Sequence, residues 1–153
     1  MVTIDAAPLS AATDDAARTT IEWRWIAGLV AAVLVVLVLY GVGVLLPYFV
    51  NGLHRLPLEE VASGAHDPKD LWPQNAWAVP VTLAGLAAVA FGLLVALTAI
   101  GVGTALLAAL WRRPGPGRLP KSLTLLVVVA GSVAAALFQV SETGAALQSW
   151  RLD

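Results

Sequence analysis

Charged residues and histidines cluster in a few short stretches of this chain, and three long apolar segments run between them. No Asp, Glu, Lys, Arg or His lies between Arg24 and His54, between Asp70 and Arg112, or between Lys121 and Glu142. Each gap has room for the roughly 20 apolar residues that cross a hydrocarbon core about 30 Å thick as a helix. The pattern predicts an all-α integral membrane protein with three transmembrane helices, over about 25–47, 78–111 and 121–141. A cytoplasmic tail over 1–19, an outer loop over 51–77 and a cytoplasmic turn over 112–120 complete the chain, with residues 20–153 as a single domain.

The tail is rich in Ala, Thr and Asp and holds too few large apolar groups to offset the entropy of ordering, so it is expected to be disordered. Thr19-Thr20-Ile21-Glu22 fits the capping-box pattern and predicts a helix start near Thr20. The first apolar run carries the β-branched-rich stretch Val33 to Val38 and meets Pro47 near its end. It exceeds the 7 to 15 residues of a cleaved signal's apolar region, so a retained signal-anchor is expected. Trp23 and Trp25 at one end and Tyr48 at the other match the aromatic belts of a bilayer.

In the outer loop, Asn51-Gly52 supplies a left-handed stop. Pro57-Leu58-Glu59-Glu60-Val61 predicts a short helical turn, which Gly64 ends, and Asp67-Pro68 predicts a turn. The second helix is expected from Pro80 or slightly earlier, with Asn75 as a candidate cap, to Trp111, unless Gly101-Val102-Gly103 breaks it. The Pro-Gly-Pro-Gly centre of the second connection cannot be helical, so helices 2 and 3 are expected to form an antiparallel hairpin. The extension from Ser141 to Leu152 is expected to continue as helix beyond the bilayer, with Trp150 near its surface.

Composition agrees with this reading: 59% of the 153 residues are hydrophobic and 12% are charged, about half the share in soluble domains. A net charge of -1 without a basic block excludes nucleic acid as a partner. The absence of cysteine removes disulfides, thiolate metal sites and thiol chemistry. Arginine outnumbers lysine 7 to 2, a composition that suggests a bacterial source. Six of these nine cations lie in the tail and the second connection: Arg18, Arg24, Arg112, Arg113, Arg118 and Lys121. The positive-inside rule then places the N-terminus in the cytoplasm and the C-terminus outside a bacterial plasma membrane.

Candidate chemistry is sparse. Proton relays and ion-coupled carriers place ionisable groups inside the membrane, and these spans have none, so a self-sufficient pump or secondary transporter is not expected. The chain holds no recognisable catalytic or cofactor motif, so no enzyme, cofactor or metal site is expected either. His54 and His66 with Glu59, Glu60, Asp67 and Asp70 match no ligand spacing, and Glu59 and Glu60 diverge on a helix. Small residues recur every four positions at Ala84, Ala88, Gly92 and Ala96, continue at Gly101, Ala105 and Ala109, and have counterparts at Gly131 and Ala135 or Ser132 and Ala136. Such stripes let helices approach closely in lipid. Leu56, Leu58, Trp72 and Trp77, set among charges in the outer loop, are candidate contacts to a partner. These features together predict a non-enzymatic accessory or structural subunit of a larger membrane complex, in contact with lipids and other integral membrane subunits. A small homo-oligomeric channel or transporter component is the alternative.

Overall fold

The computed structural model describes residues 22–63, 65–68, 70–112 and 117–152, and among them there is no strand. Helix α1 spans Trp23–Val50, α2 Leu58–Ala62, α3 Ala78–Arg112, α4 Arg118–Val140 and α5 Glu142–Leu152. Three of these, α1, α3 and α4, are long and apolar enough to cross a membrane. The tail, and with it the Thr19 half of the capping box, lies outside the described residues, as do Gly64, Lys69 and the Arg113 to Pro116 centre of the second connection. Glu22 is extended at the start of α1, and its carboxylate pairs with Arg24 at 2.6 Å.

α1 is not a uniform helix. It is α-helical over Trp23–Tyr40, makes a π-helical turn over Gly41–Leu45, and resumes over Leu46–Val50. Pro47 supplies the reason: it lacks an N–H and its ring crowds the carbonyl four residues back, which is that of Gly43. One wider turn, in which the Leu46 N–H donates to the Gly41 carbonyl, takes the ring past that carbonyl without ending the helix. The helix stops at Asn51-Gly52, where Gly52 adopts φ +72°.

α3 has 35 residues, about 52 Å at 1.5 Å per residue, and runs through Gly101-Val102-Gly103 unbroken. Asn75 caps its start, accepting from the Trp77 N–H at 3.0 Å. The buried positions on α3 are Val81, Gly85, Ala88, Gly92, Ala96, Ala99, Gly103 and Leu110. Their steps are of three, four or seven residues, so they hold one face of a 3.6-residue helix. A strict four-residue stripe instead drifts about 40° per step. Accordingly Ala84 is only half-buried, and Gly101, Ala105 and Ala109 are exposed.

α3 lies centrally, packed on both α1 and α4. One end of the bundle gathers Trp23, Trp25 and Trp111 with three cations: Arg24 sits over the Trp25 ring at 5.4 Å, Arg118 over Trp111 at 4.5 Å and Lys121 over Trp23 at 6.0 Å. Ile26, Leu110 and Leu125 form a small core beneath them.

The opposite end carries the larger core and corrects one expectation. The chain breaks at Ser141, whose backbone is extended, and α5 folds back instead of prolonging α4. The Ser141 hydroxyl accepts from the Gly144 N–H at 3.2 Å, and Gly144 fits so closely against the Phe138 carbonyl that a Cβ there would overlap it. Trp150, expected near the surface, is at 0% exposure among Tyr48, Leu53, Val61 and Leu147, and its indole N–H donates to the His66 carbonyl at 2.9 Å. An aromatic of that size has more apolar area to bury than a peripheral position would cover, and α2 and the loop supply the cover.

Candidate functional site

α1, α3 and α4 leave a cleft between them. Its volume is about 340 Å³, and Val33, Val36, Leu37, Tyr40 and Leu45 of α1, Gly92, Val95 and Ala96 of α3, and Gly131, Ser132, Ala135, Phe138 and Gln139 of α4 line it. The space arises from side-chain size. Ala96, Gly131 and Ala135 line it with little or no side chain, and a Cβ on Gly131 would meet nothing within 4 Å.

Three polar side chains enter this apolar wall. Tyr40 is at 8% exposure and Ser132 at 1%, and the hydroxyl oxygen of each is buried without a hydrogen-bond partner. Gln139 is buried too, its carboxamide over the Cα of Gly92, where a Cβ would come within 2.9 Å of Nε2. The Tyr40 ring stands edge-on to Phe138, centroids 6.0 Å apart, which places it at the Gln139 end of the cleft.

Above the cleft, α1 and α3 touch backbone to backbone at Gly43 and Gly85, with Arg151 laid against Gly85. Arg151 is at 6% exposure, its Nε and Nη2 are buried without hydrogen-bond partners, and no ion pair among the described residues includes it. Burial pushes its pKa down, yet a guanidinium stays protonated, so a buried charge is left without an ionic partner among the described residues. Arg151→Met keeps the stem's packing and removes the charge. Its thermal midpoint in detergent is therefore expected to rise by a few degrees, and a fall would show that the guanidinium is satisfied in solution.

Of the helix-packing candidates, Ala88, Gly92 and Ala96 are buried on α3, Ala84 and Ala135 are half-buried, and Gly131 is exposed at the cleft. Of the partner-contact candidates, Leu56 packs on the core around Trp150, Leu58 is half-buried, and Trp72 and Trp77 are exposed at 39% and 65%. His66 Nε2 lies 3.1 Å from Glu60 Oε1, and the His54 ring packs edge-on to Tyr48 and tilted against Phe49. No group of three or more His, Asp or Glu that could hold a metal ion converges among the described residues.

The residue patterns do not single out Tyr40, Gly43, Gly85 or Arg151, and they place Trp150 near the bilayer surface instead of in the core. Gly41-Val42-Gly43 four residues before Pro47 was the available signal for an irregular helix with a close approach. Comparison with protein-family models, curated protein sequences and solved structures returns no match for this chain.

Proposed function

We propose that this is a three-span integral membrane protein that serves as a non-enzymatic accessory subunit of a larger membrane assembly. In this reading α3 and α4 are an antiparallel hairpin, the end bearing Arg24, Arg118 and Lys121 is cytoplasmic, and the end bearing α2 and α5 is outside a bacterial plasma membrane. Three tryptophans at each end of the bundle support the membrane placement, since tryptophan concentrates at both bilayer interfaces. The helices also bury few of their own residues, 17% to 28% of each span's most apolar window, which leaves apolar surface for lipid and for other spans.

The observation that carries the subunit reading is the way the loop sorts its apolar residues. Leu53 and Val61 are buried and Leu56 and Leu71 pack against the same core, whereas Trp72 is presented outward on a pinned backbone. Asn51 holds it from both sides, accepting from the Trp72 N–H at 3.0 Å and donating to the Trp72 carbonyl at 3.2 Å. A tryptophan already held in place costs less entropy to bind, which suits an interface anchor. The partner that fits is another integral membrane protein, because Trp72 sits at the end of apolar helices.

A channel draws less support from the same side chains. Thr104 donates to the Ile100 carbonyl at 2.7 Å and Thr124 to the Pro120 carbonyl at 2.9 Å, so these hydroxyls serve their own helices. Photo-crosslinking from Leu58 and Trp72 in intact cells, with exposed Val35 as the control, is expected to yield a discrete protein adduct from the loop positions only. Adducts confined to lipid or to the protein's own helices would overturn the docking. Adducts to a second copy would favour the channel. For topology, a reporter active only in the cytoplasm is expected to work when fused after Arg118 and to fail after Asp153; the reverse pattern would invert the orientation.

A further inference from the structure

We propose that the end of the bundle bearing Trp23, Trp111, Arg118 and Lys121 binds the headgroup of an anionic phospholipid. This rests on the membrane placement proposed above and is independent of the orientation and of the docking through Trp72. Three helices build the site. Arg118 and Lys121 stand three residues apart in the first turn of α4, so they are neighbours on the helix surface, and each is held by a tryptophan of another helix. Arg118 sits over Trp111 of α3 at 4.5 Å and Lys121 over Trp23 of α1 at 6.0 Å, and both cations are half-buried. The arrangement is electrostatically adverse within the chain itself. Like charges this close on a helix repel, and the dipole disfavours cations in a first turn. Glu22, which lies 2.6 Å from Arg24, is the only carboxylate at this end among the described residues, against the four cations Arg24, Arg112, Arg118 and Lys121. That excess calls for an anion.

The two cations suit a phosphate. A guanidinium offers paired N–H donors that match two oxygens of one phosphate, and the neighbouring ammonium adds a point charge. Arg118 makes its contact through the Trp111 ring, and no hydrogen bond or ion pair among the described residues engages its N–H groups. The surroundings identify a lipid as the source of that phosphate. Trp23 and Trp111 are exposed, as are Leu119 and Leu123, which lie one turn apart on α4. A soluble anion would neutralise the cations and leave these apolar groups bare. A phospholipid covers both, with its phosphate on the cations, the indoles at headgroup level and an acyl chain along the leucines. A zwitterionic headgroup carries its own ammonium, which the cations repel, so a lipid of net negative charge is the one favoured.

The test uses the full chain purified in mild detergent after recovery from the membrane fraction, so that a failure of the membrane reading shows at that step and not in the binding. Titration with dioleoylphosphatidylglycerol, followed by native mass spectrometry, is expected to give saturable binding that an equal concentration of dioleoylphosphatidylcholine does not displace. Glycerol 1-phosphate, which carries the phosphate without the chains, is expected not to displace it either. These comparisons need no variant. Arg118→Gln and Lys121→Gln are each expected to weaken binding of the anionic lipid roughly fivefold, the effect of one cation near an anionic surface, and by roughly 25-fold together. Arg55→Gln, which removes an exposed cation at the other end of the bundle, leaves the affinity unchanged. Equal binding of the two lipids, displacement by glycerol 1-phosphate, or the same affinity in the double variant as in Arg55→Gln would overturn the proposal.

Discussion

Gly85→Leu is expected to stop the three long helices from assembling, while the same substitution at Gly101 of the same helix is tolerated. A Cβ on Gly85 would come within 2.6 Å of the Gly43 carbonyl oxygen and would overlap Arg151, and a Cβ on Gly43 would overlap the backbone of Ala84 and Gly85. Backbone cannot move aside as the end of a flexible side chain can. A leucine there forces α1 and α3 apart at the point where the π-helical turn brings them together. Overpacking of ordinary core sites costs about 1–3 kcal/mol, and a backbone-lined site without slack belongs at or beyond the upper end of that range. Around Gly101 there is nothing within 4 Å, so a leucine enters free space. The comparison is the fraction of detergent-solubilised protein that elutes as a single species, and equal behaviour of the two variants would show that the Gly43–Gly85 approach is not part of the fold in solution. Gly43→Leu is expected to match Gly85→Leu, since the two glycines form one contact.

The contrast between those glycines shows how far residue patterns carried the reading. Long apolar segments are legible because each span must satisfy its own backbone and meet lipid, and both demands are written in consecutive residues. The ends of α3 are therefore legible to within a few residues, and Asn75 is legible as a candidate cap. Which face of a helix packs is written less clearly. A stripe of every fourth residue picks out Ala88, Gly92 and Ala96 but passes over Gly85, Ala99 and Gly103, because the seam mixes steps of three, four and seven. Gly101 and Gly103 cannot be told apart from composition, yet Gly103 is buried against Val129 and Gly101 is open. The cleft was less visible still, since it comes from small residues on two helices meeting at one level. Nothing in the residues around Ser132 sets it apart from other membrane serines, although its hydroxyl is buried without a hydrogen-bond partner.

At the end holding α2 and α5, the turn after Pro57 is legible in the residues but the burial of Trp150 is not, and Trp150 supplies the other large expected effect. Trp150→Ala is expected to release α5 and the loop from the bundle while leaving the three long helices in place. The indole is fully buried and edge-on to Tyr48 with centroids 6.4 Å apart, and its N–H holds the His66 carbonyl across 84 residues of sequence. Truncating a buried tryptophan to alanine costs about 3–5 kcal/mol. The loss falls on a small unit: α2 has 5 residues and α5 has 11, both too short to hold as isolated helices. α2 depends on this core through Val61, and α5 through Leu147 and Trp150 itself. The long helices keep their own contacts near Gly85, Ser132 and Leu125, so the change is local rather than global unfolding. Hydrogen exchange reads this directly: the Val61 amide, which donates to the Pro57 carbonyl at 3.2 Å, is expected to lose protection in Trp150→Ala, with protection in α3 retained. Trp77→Ala, at a tryptophan exposed at 65%, serves as the control and leaves both unchanged. Retained protection at Val61 in Trp150→Ala would mean that the loop is ordered by something other than its burial of Trp150.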